Sequence, residues 1–234
     1  AMHTGKTFQE SELPKKYGEG SYVLIVQPIS SLTMAFARIF ACSGFNIIFL
    51  GKGTKETIDF MSKLQSQYRI RVQLIVADFS HQNTEEESNF KGIANEIISI
   101  LDKEKTELSI VVNNLRSFAI SHRNASNESK ENFIKIKKIS NLTTELVNRF
   151  VMRTSQSAII NILPNRGIWP FKFILESENT RIFKFLCSPL AQLCEKKVKV
   201  INLRPNLVSD SISKRMDIMM IKPEDCVLEC LKLL

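Results

Sequence analysis

The stretch that most constrains the fold of this chain covers residues 22–51. Residues 22–26 read YVLIV, a run apolar enough for a strand that is buried on both faces. Apolar side chains then recur at helical spacing over residues 32–43, Gly44 follows as a stop, and residues 46–50 are a second apolar run. This order predicts a parallel strand-helix-strand unit, whose crossover is right-handed in nearly all proteins.

The rest of the chain continues the alternation. Further strands are predicted at residues 72–77, 108–112, 158–163 and 198–203, and helices at residues 54–68, 90–101, 132–153, 180–196 and from Pro223 onward, with a polar loop at residues 115–131. Such alternation predicts an α/β fold: a doubly wound, Rossmann-like domain whose mostly parallel sheet has six or seven strands in the order 3-2-1-4-5-6. We assign residues 1–16 to a tag remnant and lead-in, and residues 17–234 to this single domain.

Composition excludes several classes of protein. The 234 residues are 44% apolar and 24% charged, as in ordinary globular domains, and no run of about 18 apolar residues predicts a membrane-spanning helix. The cysteines form no CxxC pair, which predicts buried thiols in a reducing, intracellular compartment and neither disulfides nor a metal site; they are Cys42, Cys187, Cys194, Cys226 and Cys230. The net charge of +8 suits an acidic protein, a nucleic acid or an anionic membrane as partner.

Several segments, taken together, match a known pattern in order and spacing over residues 15–233. They are KKYGEGSYVLIV, FARIFACSGFNIIFLGKG, VADFS, VVNN, SAIINI and VKVINLRPNLV. The sequence thereby resembles the short-chain dehydrogenase/reductase family, and within it the branch of microsomal 3-ketoacyl-CoA reductases and 17-beta-hydroxysteroid dehydrogenases. The resemblance implies a homodimer or heterodimer formed through the helices at residues 132–153 and 180–196. It also implies a place in the cytoplasm or at the cytosolic face of the endoplasmic reticulum.

The phosphate-binding turn of that family is degenerate in this sequence. Its motif T-G-x-x-x-G-x-G falls on residues 26–33, and the three glycines correspond to Gln27, Ser31 and Thr33. Glycines at these positions allow a tight turn and a close approach of the backbone to the pyrophosphate, which side chains obstruct. Pro28 also lacks a backbone donor. The sequence therefore predicts no cofactor, with NADP(H) as the alternative.

The catalytic residues that the resemblance implies are replaced as well. The family's Ser after the fifth strand corresponds to Pro164, its Tyr to Ser177 and its Lys to Arg181. A shift of the register by one residue brings Glu176 or Glu178 to the Tyr position, and no register yields Tyr. A serine hydroxyl is far less acidic than a phenol, so it does not replace the family's proton donor.

Some positions on the cofactor side do match the family. Lys52 follows the second strand, where NADP-preferring relatives carry a basic residue for the 2′-phosphate. Asp78 corresponds to the acidic residue beside the adenine, and Asn113 and Asn114 to the N-N-x-G segment. The family's Asn on the long helix falls near Lys137. Each residue also has an ordinary structural interpretation as a solvated side chain or a strand end.

These observations predict a catalytically inactive relative of the reductases, a pseudoenzyme that serves as a binding, scaffolding or assembly subunit. One alternative is a protein of this fold that still binds NADP(H), acyl-CoA or a lipid. A second alternative is a basic docking module for a nucleic acid or an acidic partner. Cofactor titration separates the first two functions, and the salt dependence of binding identifies the third.

Overall fold

Strands and helices alternate along the chain. The computed structural model describes residues 8–26, 30–77, 79, 87–115, 125–163, 198–203, 205 and 222–234. The helices are α1 (Phe8–Tyr17), α2 (Ser31–Cys42), α3 (Lys55–Tyr68), α4 (Glu87–Lys103), α5 (Ala125–Met152) and α6 (Pro223–Leu231). The strands are β1 (Tyr22–Val26), β2 (Asn46–Gly51), β3 (Val72–Val76), β4 (Leu108–Asn114), β5 (Ser157–Ile162) and β6 (Val198–Leu203).

The six strands form one parallel sheet. Their order, β3-β2-β1-β4-β5-β6, confirms the predicted doubly wound α/β fold and its strand order. The central strand β1 pairs with β2 and β4, and all of its residues are buried. Helices cover both faces of such a sheet, which is why the central strands are continuous apolar runs rather than alternating ones.

A hydrophobic layer lies on each face of the sheet. On one face, α1, α2, α3 and α6 contribute to a cluster in which Phe36, Phe40 and Phe45 are fully buried. The ring centroids of Phe36 and Phe40 are 6.0 Å apart and those of Phe40 and Phe45 are 5.8 Å apart, within the range of favourable aromatic pairs. On the other face, α4 and α5 form the second cluster. The sheet is thus held from both sides.

Helix α2 ends before Gly44 and helix α6 begins at Pro223, as the sequence predicts. Gly44 has a φ of 87°, and its amide donates to the carbonyl of Ala41 at 3.0 Å. This left-handed residue closes α2. Pro223 is the first residue of α6, and Glu224 and Asp225 lie in its first turn. Acidic side chains at this end of a helix are favourable because the helix dipole is positive there.

Two helices differ from the prediction. The loop assigned to residues 115–131 is wrong from Ala125 onward, where α5 begins. The segment ASNESKE contains neither Gly nor Pro, and Ala, Glu and Lys favour helix, so its polarity does not break the helix. Helix α1 lies where no helix was predicted. Leu13 and Tyr17 are four residues apart on α1 and are both buried in the core, so they fix the helix to the domain.

A buried arginine joins several elements at the amino edge, the edge of the sheet where the strands begin. The side chain of Arg153 is 3% exposed, and its Nη2 donates to the carbonyl of Tyr17 at 2.6 Å. Its Nε donates to Glu107 Oε2 at 2.8 Å, and its Nη1 donates to the carbonyl of Gln156 at 3.0 Å and to Ser157 Oγ at 3.2 Å. One guanidinium therefore links the end of α1 to the starts of β4 and β5.

A carboxylate at the same edge ties β1, β3 and the end of α4 together. Glu104 accepts hydrogen bonds from Tyr22 Oη at 2.6 Å, Arg71 Nη1 at 2.7 Å and Gln73 Nε2 at 2.7 Å. Burial pushes the pKa of Glu104 upward, but the hydrogen bonds from Tyr22 and Arg71 outweigh it and leave the pKa below its usual value. Burial, together with Glu104, raises the pKa of Tyr22. The ionised carboxylate is therefore the form that the fold favours.

The predictions on membrane segments and cysteines have different outcomes. Among the described helices, none is long and apolar enough to cross a bilayer.

Cys226 and Cys230 are buried on α6 as predicted, and burial raises the pKa of Cys230 to about 12. The prediction is wrong for Cys42, which is exposed because it shares the outer face of α2 with Arg38, four residues earlier. Cys187 and Cys194 lie outside the described residues.

Candidate functional site

The candidate site lies at the carboxyl ends of β1 and β4. These strands are neighbours at the centre of the sheet, and the chain leaves them in opposite directions, from β1 toward β2 and from β4 toward β5. In open parallel sheets, ligands bind in the crevice outside such a switch point. Val26 at the end of β1 lies beside Asn113 of β4. The start of α2 and the asparagines that end β4 therefore meet at one crevice.

Helix α2 starts at this crevice with a capping box. Ser30 is the N-cap, and its Oγ accepts a hydrogen bond from the amide of Thr33 at 3.1 Å. In return, Thr33 Oγ1 accepts one from the amide of Ser30 at 3.1 Å, and the two hydroxyls lie 2.9 Å apart. Asn114 Nδ2 also donates to Ser30 Oγ, at 3.3 Å. Two amides at the start of the helix are thereby satisfied within the chain.

The capping box stands where the reductase motif has its last two glycines. Ser31 and Thr33, at the second and third glycine positions, lie in the first turn of α2, and Thr33 is fully buried. Gln27, at the first, lies outside the described residues. In phosphate-binding turns the first amides of the helix point at the anion. Here the amide of Thr33 donates to Ser30 Oγ, and Thr33 carries a buried side chain where the motif has glycine, so the described part of the turn departs from the glycine motif.

Three asparagines form an amide ladder across β4, β5 and β6. Asn113, Asn161 and Asn202 are direct neighbours in the strand register. Asn113 Nδ2 donates to Asn161 Oδ1 at 2.9 Å, and Asn161 Nδ2 donates to Asn202 Oδ1 at 3.0 Å. Asn113 Nδ2 also donates to Thr143 Oγ1 of α5 at 3.3 Å. Asn113 Oδ1 is buried and has no hydrogen-bond partner in the part of the chain that the structure describes.

The ladder changes the interpretation of Asn113, the candidate cofactor-side residue. Asn113 and Asn161 are fully buried, so Asn113 joins the ends of the strands to each other and to α5 instead of forming the surface of the crevice. Asn161, Asn202 and Thr143 were not identified from the sequence. The signal was present, because each asparagine of the ladder is the penultimate residue of its strand. Aligning the ends of the strand runs reveals this regularity.

Lys52 lies on the other side of the crevice with an exposed apolar side chain. It directly follows β2 and is exposed, and Val76 at the end of β3 is 72% exposed. A Cβ atom on Gly53 would lie 3.5 Å from Val76 Cγ2, so the turn after β2 touches the end of β3. A cation beside an apolar surface suits a flat ring that carries a phosphate. Asp78, the other candidate on this side, lies outside the described residues.

The proposed catalytic positions are not described. Pro164, Ser177 and Arg181 lie outside the described residues. On α5, Lys137 is exposed, whereas Lys138 is buried with its Nζ 5.7 Å from the ring centroid of Phe90. Within the described ranges, no group of three or more His, Cys, Asp or Glu side chains could hold a metal ion. The described part of the crevice thus presents hydroxyls, amides and one lysine.

A cavity of about 490 Å³ lies away from this crevice, between α2 and α3. Charged side chains of both signs line the cavity; they include Arg38, Lys55, Glu56, Asp59 and Lys63. Arg38 is already engaged there, because its guanidinium lies 5.5 Å from the centroid of Phe60 and its Nη1 donates to Glu224 Oε1 at 3.1 Å. The cavity is therefore a surface groove between helices and no part of the candidate site.

No protein-family model and no curated protein matches the sequence. Solved structures do match. A short-chain dehydrogenase from Salmonella enterica serovar Typhi superposes with a TM-score of 0.73 at 12% identity, over 93% of this chain and 91% of that one. The fold is that of the short-chain dehydrogenase/reductases.

Two further solved structures extend the comparison. An alcohol dehydrogenase from the archaeon Thermococcus sibiricus, complexed with 5-hydroxy-NADP, has a TM-score of 0.67 at 14% identity and covers 92% of this chain and 91% of its own. A 7beta-hydroxysteroid dehydrogenase has a TM-score of 0.65 at 17% identity and covers 94% and 85%. Such low identities show a shared fold, so the predicted fold is confirmed, and the 3-ketoacyl-CoA reductase branch stays a prediction.

Proposed function

We propose that this chain has the short-chain dehydrogenase/reductase fold without hydride-transfer activity and serves as a binding, scaffolding or assembly subunit. The capping box between Ser30 and Thr33 carries the proposal, because it directs one of the first amides of α2 to a hydroxyl of the chain, whereas phosphate-binding turns direct such amides to an anion. In the sequence, Pro164, Ser177 and Arg181 replace the family's Ser, Tyr and Lys. Solved structures of this fold include dehydrogenases, so the support comes from these residues and not from the fold.

Thermal unfolding with NADPH and with NADH tests the proposal. A cofactor present at about a hundred times its Kd stabilises a protein by about 2.7 kcal/mol, which raises Tm by several degrees in a domain of this size. We expect no shift with either nucleotide and no oxidation of NADPH in the presence of ketones. An active short-chain dehydrogenase measured in parallel is the positive control. A shift accompanied by turnover contradicts the proposal.

Residual binding of a nucleotide, acyl-CoA or lipid is the alternative function, and the exposure of both Lys52 after β2 and Val76 at the end of the neighbouring β3 favours it. A lysine at this position interacts with the 2′-phosphate, which NADPH carries and NADH lacks. Stabilisation by NADPH alone, lost in Lys52→Ser and kept in Lys63→Ser, supports this alternative. Lys63 is a suitable control because it is exposed on α3, away from the end of β2.

Assembly through α5 is part of the proposal, and the burial of its side chains bears on which surface it would use. Apolar side chains on α5 that could contribute to a dimer interface, Ile136, Leu146 and Phe150, are buried in the molecule's own core. The exposed residues of α5 include the polar Thr144 and Asn148. Over residues 135–151 of α5, a dimer contact would therefore be mostly polar, and residues 180–196, where the second helix of the interface is predicted, lie outside the described residues. Sedimentation of the wild type and of Thr144→Arg tests it, since the arginine weakens only a dimer that uses this face.

The same proposal includes a reducing, intracellular setting. Cys42 and Cys230 are free thiols, as expected where disulfides are rare. The branch resemblance adds the cytosolic face of the endoplasmic reticulum. Cell fractionation with a tagged chain tests this assignment, and recovery from an oxidising compartment contradicts it.

A further inference from the structure

The amino edge of the sheet carries exposed cations. Helices α1, α3 and α4 end at this edge, because each of them leads into a parallel strand. Lys15, Arg69, Lys103 and Lys105 are exposed at these helix ends, and none of them forms an ion pair with a described carboxylate. Cations at helix C-termini interact favourably with the dipole, yet this effect does not require so many of them.

Three nearby carboxylates do not neutralise these four cations, because each of them already forms an ion pair with an arginine. The pairs are Arg71–Glu104 at 2.7 Å, Arg149–Asp102 at 3.0 Å and Arg153–Glu107 at 2.8 Å. Glu19, in the turn between α1 and β1, is an exposed carboxylate that opposes the four cations. The amino edge therefore has an excess of positive charge.

Two of the four cations occupy positions that favour glycine. Arg69 has a φ of 55° and Lys105 a φ of 51°, and they are the positive-φ residues other than glycine in the described part of the chain. The left-handed conformation is unfavourable for a residue with a Cβ and is readily adopted by glycine. Retaining long cations at both positions therefore points to a use for their charge.

Large apolar side chains are exposed at the same edge. Met152 at the end of α5 is 84% exposed and Leu233 beyond α6 is 56% exposed. The residues that follow them in sequence, Arg153 and Leu234, both contact Tyr17: its carbonyl accepts from Arg153 Nη2 at 2.6 Å, and its hydroxyl donates to the backbone oxygen of Leu234 at 3.0 Å. Tyr17 itself is fully buried and so offers no ring for a nucleobase to stack on.

We propose that the amino edge docks on a lipid surface that carries anionic headgroups. Lys15, Arg69, Lys103 and Lys105 attract the headgroups, while Met152 and Leu233 enter the boundary between headgroups and acyl chains. An acidic protein would use the cations alone, whereas a lipid surface also uses the exposed apolar side chains. The proposal goes beyond the proposed function, because the amino edge is at the opposite end of the sheet from the candidate site.

Co-sedimentation with vesicles of phosphatidylcholine and phosphatidylserine tests the proposal at about 0.15 M salt, where the Debye length is about 8 Å. The informative variant is Arg69→Gly combined with Lys105→Gly, since glycine suits both backbone positions and the fold is preserved while two charges are lost. At about fivefold per cation near the surface, this variant binds at least about tenfold more weakly than wild type. The control, Lys55→Gln combined with Lys91→Gln, removes the same charge from the other ends of α3 and α4 and changes binding by less than about twofold.

A second variant separates a lipid surface from an acidic protein. Met152→Ser combined with Leu233→Ser keeps every charge, and we expect it to weaken vesicle binding while leaving any binding to polyglutamate unchanged. The proposal is overturned if the chain does not bind vesicles containing phosphatidylserine, or if the control variant loses as much binding as the double glycine variant. Binding to polyglutamate without binding to vesicles overturns it in favour of an acidic protein partner.

Discussion

Replacing Arg153 by methionine is expected to destabilise the fold by about 3 kcal/mol or more. Methionine fills a similar volume but donates no hydrogen bond. The change removes the donor to the carbonyls of Tyr17 and Gln156, to Ser157 Oγ and to the carboxylate of Glu107. It therefore disconnects α1 from the starts of β4 and β5.

The magnitude follows from what each acceptor can do without its donor. The Glu107 side chain is 54% exposed, so water hydrates its carboxylate at little cost. Ser157 is fully buried, and the carbonyl of Tyr17 keeps only a long contact of 3.4 Å from Ser21 Oγ. Each buried group left unsatisfied costs about 1–3 kcal/mol. The loss is a large fraction of the 5–15 kcal/mol that is usual for a domain.

Urea unfolding followed by circular dichroism measures the effect as a fall in midpoint at unchanged slope. Arg149→Met is the matched control: it lies four residues earlier on α5 and loses two hydrogen bonds to Asp102, at 3.0 and 3.1 Å. That pair is exposed, so its loss costs less than about 1 kcal/mol. If Arg153→Met costs no more than Arg149→Met, the buried guanidinium does not hold the amino edge together.

Other changes test the cap, a titrating group and the thiols. Ser30→Ala removes the capping box and costs about 1 kcal/mol in urea unfolding; an unchanged midpoint shows that the box is not stabilising. The stability contributed by Glu104, whose pKa is lowered on folding, is fully present above its usual pKa of 4.5 and is lost as pH falls through the lower folded value. Glu104→Gln therefore flattens the acid limb of a stability-against-pH curve, and a variant with the wild-type limb refutes the assignment. Iodoacetamide labelling of the native protein, mapped by mass spectrometry, modifies exposed Cys42 well before buried Cys230, whose pKa is raised to about 12; equal rates contradict the burial.

The sheet was predictable because burial on both faces leaves a direct signal in the sequence. The bounds of the central strand β1 (Tyr22–Val26) match the predicted run residue for residue, and all of its residues are buried. A central parallel strand must be apolar throughout, so its ends coincide with the ends of the apolar run. The start of α5 was not predictable in this way, because its first residues are polar and carry no apolar period.

The candidate site was harder to predict because it depends on contacts between distant segments. The capping box pairs Ser30 with a threonine at the third position of the helix, whereas the usual sequence signal is a glutamate or glutamine there. The amide ladder requires the register of β4, β5 and β6, which a single strand does not encode. The sequence did locate the crevice, since the degenerate turn and the paired asparagines both fall at strand ends.

Because of the amide ladder, the effects of mutations at three positions on separate strands depend on one another. Asn161 accepts from Asn113 and donates to Asn202, so Asn161→Leu alone leaves Asn113 Nδ2 with only its 3.3 Å bond to Thr143 and removes the donor to the half-buried Asn202. Replacing all three asparagines by apolar residues removes the side-chain donors together with the acceptors that they pair with. The effects of the single changes therefore do not add, with coupling on the order of 0.5–3 kcal/mol expected between neighbours. A descendant of this protein can lose the whole ladder more easily than any part of it.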